Sequence, residues 1–160
     1  MFERRTAGFL LFLAAAGVGG CSGSDSSPGM AQQPQQPENA CSKETRAQPF
    51  SAGETFTGAQ QVTVALMDAA PAPPAQGDNT WTLDVKGPDG NPITDATITA
   101  KQLMVDHNHG GNKTIVVTSL GGGSYQAMPV NFSMPGYWEN IFEVKTDTLD
   151  DKVDVKVCVP

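Results

Sequence analysis

The sequence predicts an all-β domain, an antiparallel β-sandwich of about seven short strands. Three observations carry this expectation. Only 17% of the 160 residues are charged, while 17 glycines and 12 prolines are present, a balance that suits short strands joined by turns. Runs of β-branched and aromatic residues are separated by clusters of Gly, Pro, Asn and Asp. Beyond the apolar N-terminus, no stretch repeats its apolar residues with a convincing helical period.

In chain order, the first element is a leader. Arg4 and Arg5 precede an apolar stretch from Ala7 to Val18, too short to span a bilayer, that ends in Val18-Gly19-Gly20-Cys21. A basic segment, an apolar core and a small-residue break make residues 1–20 a secretory signal peptide. The tetrad ending in Cys21 resembles the lipobox of bacterial lipoproteins. That resemblance implies cleavage before Cys21, acylation of its sulfur and its new amine, and stable attachment to a membrane, because several acyl chains hold where one is marginal. With Ser22 rather than Asp next to the cysteine, and a Gram-negative source assumed, it implies an outer-membrane position facing the periplasm. Residues 21–40 follow as a lipidated tether: Ser22 to Ala40 contains Ser, Gly, Pro, Gln and Asn and lacks aromatic, Val, Ile or Leu residues, so it buries too little apolar area to offset ordering.

The domain proper is expected over residues 41–160, long enough for one core. Gln61 to Met67 is the first strand and Ala70-Pro71-Ala72-Pro73-Pro74 the loop after it. Thr80 to Lys86 places Trp81, Leu83 and Val85 on one face. Gly87-Pro88-Asp89-Gly90-Asn91-Pro92 reads as a turn into Ala96 to Val105. Gly110-Gly111-Asn112 precedes Thr114 to Ser119, and Gly121-Gly122-Gly123 precedes Tyr125 to Phe132. Pro135-Gly136 leads into Tyr137 to Lys145, and the turn Asp147 to Asp151 into a last strand where Val153, Val155, Val157 and Val159 alternate with polar residues and Cys158. Trp81, Tyr125, Trp138 and Phe142 are expected to fill the core.

Three cysteines are present. If Cys21 is acylated, Cys41 and Cys158 remain in an oxidising compartment and are expected to pair; two free thiols, or a pair binding metal, is the rival reading. The alternation of the last strand turns Cys158 away from the valines, so a segment starting at Cys41 would lie on the outer face. Closure of so long a loop stabilises by about 4–5 kcal/mol in the chain-entropy model.

From Gly87-Pro88-Asp89-Gly90-Asn91-Pro92 through Asp106-His107-Asn108-His109-Gly110 and Gly122-Gly123-Ser124-Tyr125 to Met134-Pro135-Gly136-Tyr137-Trp138, the sequence resembles the YtkA-like domain. This is a small immunoglobulin-like module of bacterial lipoproteins and envelope proteins related to FixH. The resemblance extends over about Gln61 to Lys145. It implies an immunoglobulin-like sandwich and an association with copper handling and respiratory-oxidase assembly. Family members often carry a methionine-rich segment before the histidine, where this chain has Leu103-Met104-Val105-Asp106.

The residues themselves offer few chemical candidates. His107 and His109 are the only histidines. In an extended segment, residues two apart project to the same side, so both imidazoles can reach one ion. Imidazole suits copper or zinc and thioethers favour Cu(I), with Met104, Met134 and Met128 as soft ligands if strand ends converge. An ordinary solvated turn and methionines as core filler are the competing readings. Catalysis is not expected: both imidazoles share one loop, Ser124 follows a flexible glycine turn, and no phosphate loop, CxxC or HExxH occurs. The net charge of −7 disfavours nucleic acid and anionic lipid as partners. Two readings remain. One is an accessory or chaperone domain of the cell envelope that binds copper or another transition metal, with an unidentified envelope protein partner, and the other a non-catalytic structural or interaction module without a metal.

Overall fold

In the computed structural model, residues 39–160 are described. The leader 1–20, Cys21 and nearly all of the 21–40 tether lie outside the described residues.

Eight strands form two sheets: β1 (Thr55–Thr57), β2 (Thr63–Ala70), β3 (Gly77–Lys86), β4 (Thr97–Leu103), β5 (Val116–Gly121), β6 (Ser124–Phe132), β7 (Gly136–Lys145) and β8 (Asp150–Val159). One sheet runs β1-β2-β3-β6-β5 and the other β4-β7-β8, with every pairing antiparallel. The all-β sandwich expected from the sequence is present, with one strand more than expected. The addition is β1, whose three residues Thr-Phe-Thr are too few to show a period, although Phe56 is buried against the core.

Alternation explains which faces meet. Trp81, Leu83 and Val85 of β3 and Tyr125 and Ala127 of β6 face Phe142 and Val144 of β7 and Val153, Val155, Val157 and Val159 of β8, all buried. The Trp81 ring lies 6.2 Å from Phe142 and 6.1 Å from Phe132, in tilted contacts that tie the core together. Methionine does not follow the pattern uniformly. A bulge between Leu66 and Asp68 expels Met67 to solvent, and Met128, opposite Val116, is also exposed.

The segment before β1 is a strap along β8. Cys41 is bonded to Cys158, with Cα atoms 5.6 Å apart. Beyond it, the Gln48 amide donates to the Lys156 carbonyl at 2.8 Å, and the Lys156 amide donates to Gln48 Oε1 at 2.8 Å. These bonds cap the free edge of β8, where an unpaired strand invites association. The strap also covers the outer face of the sheet, so Tyr137, whose register partner is Cys158, is buried although it points away from the core.

On that outer face, Glu143 of β7 accepts from Lys101 of β4 at 3.2 Å and Lys152 of β8 at 3.3 Å. The Lys101 and Lys152 ammonium groups hold its carboxyl below the ordinary value. A depressed carboxyl contributes stability that is present above the unfolded-state pKa and lost as pH falls through the folded one. Glu143→Gln should therefore lower the melting temperature slightly at neutral pH and leave it unchanged in acid. A difference from wild type that persists below pH 3 would show that the side chain acts through packing.

Candidate functional site

At one end of the sandwich β4 runs out at Leu103 and the chain reverses. The Met104 amide donates to the His109 carbonyl at 2.8 Å, closing a four-residue turn, and the His107 amide donates to the Met104 carbonyl at 3.2 Å. Asn108 has a φ of 51°, a left-handed conformation that Asn tolerates better than most residues. Four-residue hairpin loops are commonly built this way. Of the two readings of the Asp106-Asn108 stretch, extended segment and solvated turn, the turn is the one present. His107 and His109 still share a side, but because the turn stacks their rings 6.0 Å apart, not because of strand alternation.

The turn between β6 and β7 delivers the next residue. His107 Nδ1 lies 3.2 Å from Met134 Sδ. With its proton on Nδ1 the imidazole donates to sulfur; with the proton on Nε2, nitrogen and sulfur present adjacent lone pairs. The Met134 carbonyl accepts from Trp138 Nε1 at 3.1 Å, which fixes the backbone of that turn. His109 stands edge-on to the buried Trp138 ring, with centroids 5.6 Å apart, and its Nδ1–H donates to the Gly110 carbonyl at 2.9 Å. That bond leaves Nε2 as the atom with a free lone pair. Met104 is buried beneath the loop. Its Cε would lie 2.6 Å from a Cβ placed on Gly136, whose φ of 127° also favours glycine.

Four of the sequence candidates, Met104, His107, His109 and Met134, therefore gather at one pole around Trp138. Met128 does not belong with them, since it lies within β6 on the exposed face of the other sheet. The contacts that complete the site come from the strap. Arg46 donates through Nη1 to Asp106 Oδ1 at 2.8 Å and through Nη2 to Asp106 Oδ2 at 2.8 Å. The same guanidinium donates to both oxygens of Glu44, at 2.9 and 2.7 Å, and its Cζ sits 4.1 Å from the centroid of the Tyr137 ring. Hydrogen bonds from Arg46 hold the carboxyls of Asp106 and Glu44 below their usual range. Burial, and then the hydrogen bond to Glu139, push the Tyr137 hydroxyl upward. No local pattern marked Arg46, which is 60 residues from its partner.

Among the described residues no three of His, Cys, Asp and Glu converge on a point, so a closed zinc site of the Cys/His kind is not formed. The donor atoms that do approach one another are an imidazole nitrogen of His107 and the thioether sulfur of Met134, soft rather than hard ligands. A concavity lies at the other end of β4 and β7, between residues 87–95 and 146–149. It is lined by Asp89, Asp95, Asp147 and turn backbone and holds neither imidazole nor thioether.

Fold and pole together define a small antiparallel β-sandwich module carrying a histidine–methionine rim. The model of the family described as YtkA-like matches residues 56–143, from β1 to β7, and the chain belongs to that family. No curated protein and no solved structure matches the chain.

Proposed function

We propose that this protein is a lipid-anchored domain of the cell envelope that takes up a soft metal ion, Cu(I) foremost, at the histidine–methionine pole for delivery or sequestration. The observation that carries the reading is the 3.2 Å approach of His107 Nδ1 to Met134 Sδ. Nitrogen and thioether sulfur at that separation can share one ion, and a thioether discriminates for Cu(I). His109, with Nε2 free, and Met104, underneath, are the further donors. Trp138 positions Met134 through its carbonyl and forms the wall behind His109. The copper is cargo in this reading, and no catalytic step is assigned to the chain.

Anaerobic competition of the full chain against a chromophoric Cu(I) chelator tests it. One equivalent should bind. His107→Ala/His109→Ala should abolish binding with the fold intact, because the loop is exposed and carries little of the core. Met134→Leu should weaken Cu(I) by about tenfold or more while hardly touching Zn(II). Wild-type protein that shows no saturable Cu(I) binding would leave the metal-free interaction module as the function.

The anchor is a separate expectation, supported by the Val18-Gly19-Gly20-Cys21 tetrad. Cys21→Ala should move the protein from the detergent phase to the aqueous phase, or leave it unprocessed. Detergent partitioning that survives the substitution would exclude lipidation at this residue.

A further inference from the structure

The ionic cluster behind the histidine loop is more elaborate than stability requires. Arg46 and Asp106 side chains are 45% and 49% exposed, and a pair so open to water contributes little to folding. Even so, the guanidinium is engaged by three side chains, Asp106, Glu44 and Tyr137. Glu44 grips it at two atoms, Tyr137 supports its face, and the strap that carries it is fastened before it by Cys41–Cys158 and after it by Gln48 on β8. What this arrangement fixes is Asp106, the residue next to His107, whose two oxygens are each occupied by a separate guanidinium N–H.

The chemical consequence concerns which donors an ion meets. Asp106, His107 and His109 do not converge as they stand, but a carboxylate released from Arg46 is one residue from His107 and can swing to complete an Asp/His/His set, which suits Zn(II) and Cu(II). Each oxygen keeps a further lone pair, but the two bonds turn the carboxylate toward the strap and hold it there, so the donors free to move onto an ion are imidazole and thioether. Bidentate geometry matters here, because the planar fork of arginine matches a carboxylate at two points where lysine offers a single point charge.

We propose that Arg46 is a specificity-determining residue: by holding both oxygens of Asp106 it withholds the one carboxylate of the histidine loop from a bound ion, and so biases the pole toward Cu(I) and against Zn(II) and Cu(II). This deepens the copper reading above and rests on it for the identity of the favoured ion. The exclusion of Zn(II) and Cu(II) is measurable without it.

Calorimetry with Zn(II) and Cu(II), and anaerobic Cu(I) competition, on the full chain give the test. Arg46→Ala should raise Zn(II) and Cu(II) affinity by about tenfold or more, the usual scale of outer-shell effects, while Cu(I) affinity changes much less. Arg46→Ala/Asp106→Asn should return Zn(II) binding to the wild-type level, while Arg46→Lys and the spectrum of bound Cu(II) separate a gained ligand from the change in local charge. Arg46→Lys, which keeps the charge should the alanine variant unfold, is expected to give an intermediate gain. The spectrum of bound Cu(II) should show added oxygen ligation in Arg46→Ala only. Zn(II) affinity unchanged in folded Arg46→Ala and Arg46→Lys, or a gain that persists in the double variant, would overturn the proposal. Tight Zn(II) binding by the wild type would do the same. If wild type binds no Cu(I) but Arg46→Ala gains Asp106-dependent Zn(II) binding, the role of Arg46 stands and the copper reading falls.

Discussion

Reducing the Cys41–Cys158 bond, or replacing both cysteines with serine, is expected to lower the unfolding free energy by about 5 kcal/mol. The bridged residues are 117 apart, and in the chain-entropy model a crosslink closing a loop of that length removes about that much freedom from the unfolded chain. Engineered and native bridges commonly deliver about 2–5 kcal/mol, because the reduced chain keeps some structure. The native-state share is confined to the strap, whose other attachments are Gln48 on β8 and Arg46 on Asp106. Urea unfolding with and without reductant measures the difference. A loss below about 1 kcal/mol would mean that the unfolded chain already holds the strap near β8. Reduction should also release Tyr137 from its cover, a change that its fluorescence and the exchange of the β8 edge amides would report.

Asp151→Ala is expected to cost about 3 kcal/mol, the largest effect of any single polar substitution proposed for this chain. Asp151 is buried at the start of β8 and serves three backbone donors: Oδ2 accepts from the Gln60 amide at 2.9 Å and the Val62 amide at 3.1 Å, and Oδ1 from its neighbour Lys152 at 2.8 Å. Gln60 and Val62 belong to the turn between β1 and β2, so one carboxylate pins that turn to the opposite sheet. Truncation leaves the Val62 amide buried without a partner, at about 1–3 kcal/mol for such a group, and removes bonds to a charge that are stronger than neutral ones. Gly58→Ala should fail in the same place, because a Cβ there would lie 2.7 Å from both Asp151 Cγ and the Lys152 carbonyl oxygen. Asp151→Asn, which keeps one acceptor oxygen, should lose less than Asp151→Ala. Equal losses for the two would show that volume rather than hydrogen bonding sets the cost.

Asp151 illustrates what sequence reading reaches and what it misses. From the sequence it closes an Asp-rich turn, a sensible role for an exposed residue. Its buried role depends on Gln60 and Val62, about 90 positions earlier, and no local pattern records that encounter. The strands, by contrast, were legible because each carries its own evidence. Val153, Val155, Val157 and Val159 declare a buried face by alternation alone, and β3 does so with Trp81, Leu83 and Val85. Residues 87–92 were legible as a turn for the same reason, since Gly90, with a φ of 77°, and Asp89, accepting from the Asn91 amide at 3.0 Å, form a self-contained unit. β1 was missed because three residues hold no period.

By itself, then, the sequence determined the all-β class, the order of the longer strands and which side chains face the core. These follow from backbone periodicity and turn chemistry, which act over a few residues. Only the tertiary structure decided which residues meet at the pole. It brought Met134 against His107 and left Met128 in solvent. It also brought Arg46 onto Asp106 by bonding the strap to β8. The physical reason is that thioether, imidazole and guanidinium groups have no periodic signature of their own. Their contacts are set by where strands end and turns reverse, and those ends become neighbours only once the two sheets have packed.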